Sequence, residues 1–397
     1  MKALIIDKFQ EESLGEIRGL GLEVIYEPGC SGEDLLRKVK DVHFLIVRSS
    51  EVRKPVIDAA RQLAMIIRAG AGTNTIDVKD ASARGIYVAN CPGKNSVAVA
   101  ELAMGLILAI DRRIPDNVAE LRRGKWNKKE FSKADGLMGK TLGIVGLGQI
   151  GRELAARAAA FGMNVVAWSR SLTPEMAEEL GIGRCDSVEA LAAAADVVSV
   201  HLALAPETKG LIGKKVFDAM KKGAIFINTA RGEVVDEKAL REAIERKGIR
   251  AGLDVYRSEP AAATAEFGDD IAQIVYGTHH IGASTEQAQT AIARETVRIL
   301  RDFLASGVVH NCVNLCRKSP ASCQLLVRHY DRVGVLAGVF DILKENSINI
   351  QEVENTIFDG AVAACCKMRL DSAPAPGVLA RIGENKDIIN VDLLEVS

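Results

Sequence analysis

Short apolar runs alternate with amphipathic segments along roughly the first 95 residues of the chain. The runs are bounded by polar or glycine-rich turns, which predicts buried strands at Ala3–Ile6, Leu22–Tyr26, Phe44–Val47, Met65–Arg68 and Tyr87–Ala89. Apolar residues at helical spacing predict helices between them at Ser31–Val39 and Lys54–Arg61. Strands that alternate with helices favour a parallel sheet covered by helices.

The alternation resumes after a long predicted helix at Asn95–Ile110. Further strands are predicted at Leu142–Val145, Asn164–Trp168, Val197–Leu202, Ala224–Asn228, Ala251–Val255 and Ile274–Tyr276. Further helices are predicted at Gln149–Phe161, Lys214–Met220, Lys238–Lys247 and Thr285–Ser306. After a predicted linker at 307–322, the order becomes βαββαβ, which is typical of a ferredoxin-like unit. We therefore expect an α/β protein with two doubly wound parallel-sheet domains and a small C-terminal domain.

A glycine-rich turn separates the predicted strand Leu142–Val145 from the helix that follows it. Gly146, Gly148 and Gly151 have the spacing G-x-G-x-x-G, and a second strand follows the helix, as in the unit that binds a dinucleotide. The first glycine permits a tight turn, the second lets the pyrophosphate approach the backbone, and the third lets the helix pack on the strand. The helix N-terminus offers free N–H groups to the phosphates. We therefore predict Rossmann-like domains.

The second strand of this unit ends without the carboxylate that usually binds the ribose hydroxyls. Ser169 and Arg170 stand at that place. A hydroxyl and a cation suit a 2′-phosphate, whereas a solvated Arg170 would leave NAD(H) as the cofactor. The sequence leaves NAD(H) and NADP(H) open.

Composition and charge narrow the class of protein. At 397 residues with 48% apolar residues, the chain is long enough for two or three domains. A net charge of −1 argues against nucleic acid and membrane surfaces as partners. The eight cysteines contain no C-x-x-C pair, which is typical of reduced thiols in the cytoplasm. The first residues predict a strand rather than a signal peptide.

Three polar residues follow strands of the nucleotide-binding half, namely Arg231, Glu259 and His280. Ligands of open α/β sheets bind beyond the carboxyl ends of the strands. Beside a nicotinamide, a histidine can take a hydroxyl proton while a glutamate orients it and raises its pKa. An arginine can hold a carboxylate in two places. This set predicts hydride transfer at an alcohol carbon on a small molecule, with no metal.

These segments resemble the D-2-hydroxyacid dehydrogenase family. The matching stretches are Arg68–Gly70, Cys91–Ser96 with Ala100–Glu101, Gly143–Gly151, Asn228–Gly232, Gly252–Val255, Glu259–Pro260 and His280–Thr285. The resemblance is to the branch that oxidises 3-phospho-D-glycerate to 3-phosphooxypyruvate, the first step of L-serine biosynthesis. It implies that Arg231, Glu259 and His280 are catalytic. A reductase of glyoxylate, hydroxypyruvate or another D-2-hydroxyacid and a non-catalytic NADH-sensing protein are the alternatives.

The resemblance also implies binding residues and domain boundaries. It implies a substrate domain formed by residues 1–96 and 283–312, an NAD(P) domain at 97–282, and a C-terminal domain at 323–397. The implied substrate-binding residues, with Arg48 and Lys128 for the phosphate, are Arg48, Arg68, Gly70, Ala71, Gly72, Asn95 and Lys128. The implied cofactor-binding residues, with Asp254 at the carboxamide, are Gly146, Gly148, Gln149, Ile150, Gly151, Ser169, Arg170, Thr229, Ala230, Asp254, Gly282 and Ala283.

Two adjacent histidines compete for the catalytic position. The family usually has proline just before its catalytic histidine, and His279 stands there in this chain. Neighbouring side chains on an extended segment point in different directions, so only one of the two can enter the site. The register of the motif favours His280.

The C-terminal unit resembles an ACT domain, an amino-acid-sensing module. The matching residues include His329, Asp331 and Gly334–Leu336, and then Asn346–Ile350. The resemblance implies effector contacts at His329, Asp331 and Asn349, and a homodimer or homotetramer. Asp331 replaces the asparagine of serine-inhibited relatives, which argues against serine as the effector. A module that only assembles is the alternative.

Overall fold

The computed structural model describes residues 1–260, 264–316 and 319–395, and it divides the chain into two compact units at Met1–Asn314 and Leu315–Ser397. The predicted linker at 307–322 therefore includes two residues, 317 and 318, that lie outside the described residues, as do the last two residues of the predicted C-terminal domain. Among the described residues, no helix has the length and apolar character needed to cross a bilayer.

The larger unit begins with a five-stranded parallel sheet in the order β2-β1-β3-β4-β5. Its elements are β1 Lys2–Ile5, α1 Glu11–Gly19, β2 Glu23–Tyr26, α2 Gly32–Lys38, β3 Phe44–Val47, α3 Lys54–Ala59, β4 Met65–Arg68, α4 Val78–Ala83 and β5 Tyr87–Asn90. All four residues of β3 are buried, because helices cover both faces of a parallel sheet and its central strands are apolar on both sides.

The second sheet has seven parallel strands in the order β12-β11-β10-β9-β6-β7-β8. The elements from residue 96 onward are α5 Ser96–Arg112, α6 Ile114–Arg122, α7 Lys128–Phe131, β6 Thr141–Val145, α8 Gln149–Ala160, β7 Asn164–Trp168, α9 Pro174–Glu179, β8 Gly183–Arg184, α10 Val188–Ala194, β9 Val197–Val200, α11 Lys214–Ala219, β10 Ile225–Asn228, α12 Glu237–Lys247, β11 Arg250–Leu253, β12 Tyr276–Gly277 and then α13 Glu286–Ser306, which returns to the first sheet. The strand order reverses between β6 and β9, and such a switch point is where doubly wound sheets bind ligands.

The chain passes between the two sheets twice. Residues 91–95 lead from β5 into α5, which packs on the second sheet through Ala103, Ile107 and Ile110. The chain then returns through α13, which packs on the first sheet through Val297 and Leu300. The first sheet and its core are therefore built from both ends of the larger unit.

A buried carboxylate ties the two passages together. Glu295 of α13 accepts hydrogen bonds from Arg298 at 2.6 Å and from Asn311 at 2.7 Å, and it pairs with Lys94 at 3.3 Å. These partners hold the pKa of Glu295 at about 2, although its burial opposes that shift. Glu295 thus fixes α13 to the first passage and to the segment after α13.

The smaller unit is a four-stranded antiparallel sheet in the order β14-β15-β13-β16 with two helices. Its elements are β13 Cys323–Tyr330, α14 Val335–Glu345, β14 Ile350–Ile357, β15 Ala363–Leu370, α15 Pro376–Gly383 and β16 Ile388–Glu395. The helices and the buried strand residues share one core, which includes Leu325, Val339 and Met368. The predicted βαββαβ order is confirmed.

Candidate active site

His280 and Glu259 form the central pair of the site. His280 Nδ1 lies 2.7 Å from Glu259 Oε2, and the backbone N–H of Tyr256 donates to Glu259 Oε1 at 2.9 Å. Burial alone would raise the pKa of Glu259, but the hydrogen bond and charge of His280, the Tyr256 N–H and the charge of Arg231 together lower it. Glu259 therefore stays ionised and orients the imidazole through Nδ1, which leaves Nε2 free to exchange a proton with a ligand.

The loop that carries His280 is organised around Asp254, which follows β11 and is 1% exposed. Asp254 Oδ1 accepts from the Thr278 hydroxyl at 2.7 Å and from the Ile281 N–H at 2.8 Å, and Oδ2 accepts from the Gly282 N–H at 2.9 Å. His280 itself has φ 51, in the left-handed region that few non-glycine residues adopt. Asp254 thus holds the residues on both sides of a strained histidine.

Arg231 enters the site from the end of β10 and reaches across to the first sheet. Asn228 shapes its turn, because its side chain accepts from the Ala230 N–H and donates to the Arg231 carbonyl, both at 3.0 Å. A guanidinium nitrogen of Arg231 lies where a Cβ on Gly72 would be. The absence of a side chain at position 72 therefore makes room for Arg231.

Two more arginines of the first sheet lie close to Arg231. Burial lowers the pKa of Arg68 to about 10, and the charges of Arg231 and Arg48 add to the shift. The Arg68 guanidinium occupies the place of a Cβ on Gly70, and its buried Nε has no partner among the described residues. Burial also lowers the pKa of Arg48, against the opposing charge of Asp7. Clustered cations with an unused donor favour an anionic ligand.

The glycine-rich turn has the geometry that a dinucleotide requires. Gly146 has φ 96, and a Cβ there would lie 2.8 Å from the carbonyl oxygen of His201. A Cβ at Gly151 would lie 2.5 Å from the carbonyl oxygen of Gly146. Gly148 precedes the first turn of α8, whose free N–H groups suit a pyrophosphate. Close backbone packing and a free helix N-terminus fit the pyrophosphate of a dinucleotide.

Besides Arg68 Nε, two buried polar atoms directly after strands of the second sheet lack partners among the described residues. They are Thr229 Oγ1, directly after β10, and His201 Nδ1, directly after β9. Burial lowers the pKa of His201 to about 4, so its ring is neutral at pH 7, and Nε2 lies 2.8 Å from the Ser199 hydroxyl. Thr229 was predicted to bind the cofactor, and its unsatisfied hydroxyl is consistent with a bound polar group.

Other predicted cofactor and substrate residues follow the same strand ends or start the neighbouring helices. Ser169 and the exposed Arg170 follow β7, and Ile150 lies in the first turn of α8. Ala71 accepts a hydrogen bond from Asn90 at 2.6 Å, and the Ala283 carbonyl accepts one from Gln289 at 3.0 Å. Asn95 precedes α5.

Two residues lie apart from the cluster. The side chain of His279 is exposed and makes no hydrogen bond or ion pair with a described residue, whereas His280 contacts Glu259. Lys128 is exposed at the start of α7 and contacts none of the described site residues. His280 therefore lies in the site beside Glu259. Within one chain, Lys128 lies outside the group of arginines formed by Arg48, Arg68 and Arg231.

Some site contacts were not predicted from the sequence. Tyr256 orients Glu259 through its backbone N–H, so no side-chain signal could reveal it. The Thr278 hydroxyl donates to Asp254, and the only sequence signal for this contact is its position two residues before His280. The Gln149 amide fills the place of a Cβ on Gly93, so this cofactor-site residue also contacts the first passage between the sheets.

In the smaller unit, the three predicted effector residues do not meet in one chain. His329 is 2% exposed, with Nδ1 2.8 Å from the Tyr330 carbonyl oxygen and Nε2 3.2 Å from Asn355 Oδ1. Asp331 follows the end of β13, and Asn349 precedes β14 at the opposite end of the sheet. A ligand touching both ends would need residues from two copies of the unit.

Comparisons with known proteins match this architecture. Residues 104–282 match the model of the D-isomer specific 2-hydroxyacid dehydrogenase NAD binding domain. A D-3-phosphoglycerate dehydrogenase of Methanocaldococcus jannaschii is 42% identical over 78% of this chain, and one of Archaeoglobus fulgidus is 38% identical over 85% of it. The chain spans 59% and 64% of the lengths of these two relatives.

A solved structure that is similar to this chain has the same enzyme name as these two relatives. The NAD⁺-bound 3-phosphoglycerate dehydrogenase of Entamoeba histolytica has a TM-score of 0.66 and 30% identity to this chain. The match covers 79% of this chain and 99% of that one. The matched length is that of the larger unit, Met1–Asn314.

Proposed function

Because the chain belongs to the D-isomer specific 2-hydroxyacid dehydrogenase family, we propose that it oxidises 3-phospho-D-glycerate to 3-phosphooxypyruvate with NAD, which opens L-serine biosynthesis. The observation that carries the proposal is the 2.7 Å contact between His280 and Glu259 beside Arg231. The names of the matched relatives supply the substrate. A purely NADH-sensing protein would have no use for such a pair.

In the proposed reaction His280 is the general base. Its Nε2 takes the proton of the C2 hydroxyl while hydride leaves the same carbon, and the imidazolium that forms is stabilised by Glu259. NAD, when bound, supplies the hydride acceptor. Reversing the direction makes His280 the acid that protonates the carbonyl oxygen.

Arg231 binds the substrate carboxylate and polarises the carbonyl oxygen in this proposal. The backbone N–H groups of Ala71 and Gly72 bind the other carboxylate oxygen, since the Gly70 N–H already donates to the Arg68 carbonyl at 2.7 Å, and Arg68 adds a cation beside them. Arg48 and Lys128 are the proposed phosphate ligands. Because Lys128 lies outside the cluster, its role requires a second copy of the chain or a movement of α7.

We infer that the adenosine end accepts NADP(H) as well as NAD(H). Support comes from Ser169 and the exposed Arg170, whose side chain is not paired with any described residue.

At the nicotinamide end, Asp254 is the proposed ligand of the cofactor carboxamide. Its Oδ2 accepts only the Gly282 N–H among the described residues, so one lone pair remains for the carboxamide.

We also propose a cytoplasmic homo-oligomer in which two copies of the smaller unit pair. Cys30, Cys91, Cys185, Cys312, Cys323, Cys365 and Cys366 are reduced thiols, as expected in a reducing compartment. An amino-acid effector bound between two copies would meet Asp331 and Asn349, while His329 is already hydrogen-bonded.

One parallel assay tests the proposed function. Oxidation of 3-phospho-D-glycerate, D-glycerate and D-lactate is measured with NAD and with NADP. The highest kcat/KM should be for 3-phospho-D-glycerate with at least one of the two cofactors. Faster reduction of glyoxylate or hydroxypyruvate would point to the reductase instead, and dinucleotide binding without any turnover would point to the sensor.

A further inference from the structure

A cavity of about 410 Å³ opens beside the active site, at the carboxyl ends of β1, β3 and β4. Ala69, from the same turn as Gly72, lines this cavity, while Gly72 contacts Arg231. The cavity and the proposed carboxylate site therefore lie next to each other, at residues 69 and 72 of one turn. Among the residues that line the cavity are Lys8, Gln10, Arg48, Ala69, Glu286 and Gln289.

Two cations of this cavity have no partner in the chain. Arg48 is half-buried, and Lys8 is exposed. Neither side chain makes an ion pair or a hydrogen bond with a described residue. The amide side chains of the cavity are, by contrast, engaged, since Gln10 donates to Thr290 at 2.8 Å and Gln289 to the Ala283 carbonyl at 3.0 Å.

The nearby carboxylates do not neutralise both cations. Asp7 Oδ2 accepts the backbone N–H groups of Arg48, Ser49 and Ser50 at 2.6, 3.0 and 3.1 Å, and Oδ1 accepts the Ser50 hydroxyl at 3.0 Å. Asp7 is thus directed at the turn after β3, and it fixes the end of β1 beside that turn. Glu286 is exposed in the first turn of α13 and is the other carboxylate at the cavity.

We propose that Lys8 is a specificity-determining residue that, with Arg48, seats the phosphate of the substrate in this cavity. The inference rests on the proposed function, because it assigns the charged end of the substrate whose carboxylate meets Arg231. Neighbouring parallel strands bring Lys8 and Arg48 together, since β1 pairs directly with β3. A dianionic phosphate gains a charge-assisted contact from each cation. Lys8, whose side chain makes no hydrogen bond or ion pair with a described residue, discriminates phosphorylated from unphosphorylated 2-hydroxy acids.

The full-length enzyme and three variants test the proposal. Lys8→Met should raise KM for 3-phospho-D-glycerate about 10-fold or more, as for a lost charge-assisted contact, and leave D-glycerate unaffected. Glu286→Gln removes an opposing charge and should lower KM for the phosphorylated substrate only. Lys40→Met is the matched control. Lys40 lies outside the cavity, and its exposed side chain makes no hydrogen bond or ion pair with a described residue.

Calorimetric titration of the enzyme with inorganic phosphate, at saturating NADH, measures phosphate binding without the reaction. It therefore tests the phosphate site independently of the proposed function. Phosphate should bind the wild-type enzyme and bind Lys8→Met about 10-fold or more weakly. This result would support the phosphate seat even if the enzyme preferred another 2-hydroxy acid. No phosphate binding, equal binding by both proteins, or an equal loss on both substrates would overturn the role of Lys8.

Discussion

At the scale of single residues, the geometry around His280 depends on its neighbours more than on its own backbone preference. A φ of 51 is unfavourable for a histidine, and three hydrogen bonds from residues 278, 281 and 282 to Asp254 oppose its relaxation. The buried carboxylate of Asp254 therefore orders the loop that holds His280 against Glu259.

Replacing His280 with alanine should abolish most turnover while dinucleotide binding survives. A positioned general base contributes on the order of 10²–10⁴-fold, and the side chain contacts only Glu259 among the described residues. Turnover and NADH fluorescence titration measure the two effects. His279→Ala is the matched control, and a larger loss from His279→Ala than from His280→Ala would contradict the assignment.

At the scale of turns and helices, the turn after β4 and helix α13 position the site. In the turn, Gly72→Ala should displace the Arg231 guanidinium and lower kcat/KM, because the new methyl group would occupy its place. The thermal midpoint should change little, since the group that must move is the end of a flexible side chain. Gly105→Ala in α5 is the control, as a Cβ there meets no atom within 4 Å. Unchanged kinetics for Gly72→Ala would separate Arg231 from catalysis.

The anchoring of α13 should depend on pH through Glu295. Its pKa falls from 4.5 to about 2 in the folded chain, so folding favours the ionised form. The stabilisation of the fold by ionised Glu295 is complete above the pKa of this residue in the unfolded chain. It is lost as the pH falls through the pKa in the folded chain. Glu295→Gln should therefore lower the unfolding midpoint most at pH 5–7.

The difference in midpoint between wild type and Glu295→Gln should shrink from about pH 4.5 towards pH 2. Glu286→Gln, a change in the exposed first turn of the same helix, is the control for thermal scans. A difference that grows in acid would contradict the role of Glu295.

The sequence predicted the elements that bury a continuous apolar run. Predictions for Phe44–Val47 and Met65–Arg68 match β3 and β4. Helices α1 and α6 were not predicted, and α6 buries none of its residues, so no apolar face marks it in the sequence. The positions of Arg231, Glu259 and His280 after strands of the second sheet could be predicted from the motifs. The contacts Gly72–Arg231 and Gly93–Gln149 could not, because they join residues far apart in sequence and no local pattern encodes them.

At the scale of the whole molecule, the smaller unit has an unpaired edge. Strand β14 lies at the border of its sheet, and Val353 and Ile357 on it are 51% and 53% exposed. Exposed apolar edge strands tend to pair with another chain. Deleting residues 323–397 should therefore reduce the oligomer, as measured by light scattering, while the larger unit keeps its activity.

The charge of Asp331 argues that serine inhibits the full-length protein weakly or not at all, because an ionised carboxylate cannot donate to an effector carboxylate. Asp331→Asn should partly restore inhibition in a serine titration. Potent inhibition of the unmodified protein would contradict the argument, and an unchanged oligomer after truncation would contradict pairing through this unit.

The two glycines that admit side chains from the opposite half limit how such proteins can be recombined. Gly72 receives Arg231, and Gly93 receives Gln149, so the first half supplies recesses for two side chains of the second half. A chimera that took its first half from a protein with larger residues at these two positions would fold both sheets and still displace the guanidinium and the amide. A functional chimera therefore needs both members of each pair, Gly72 with Arg231 and Gly93 with Gln149, from the same parent protein.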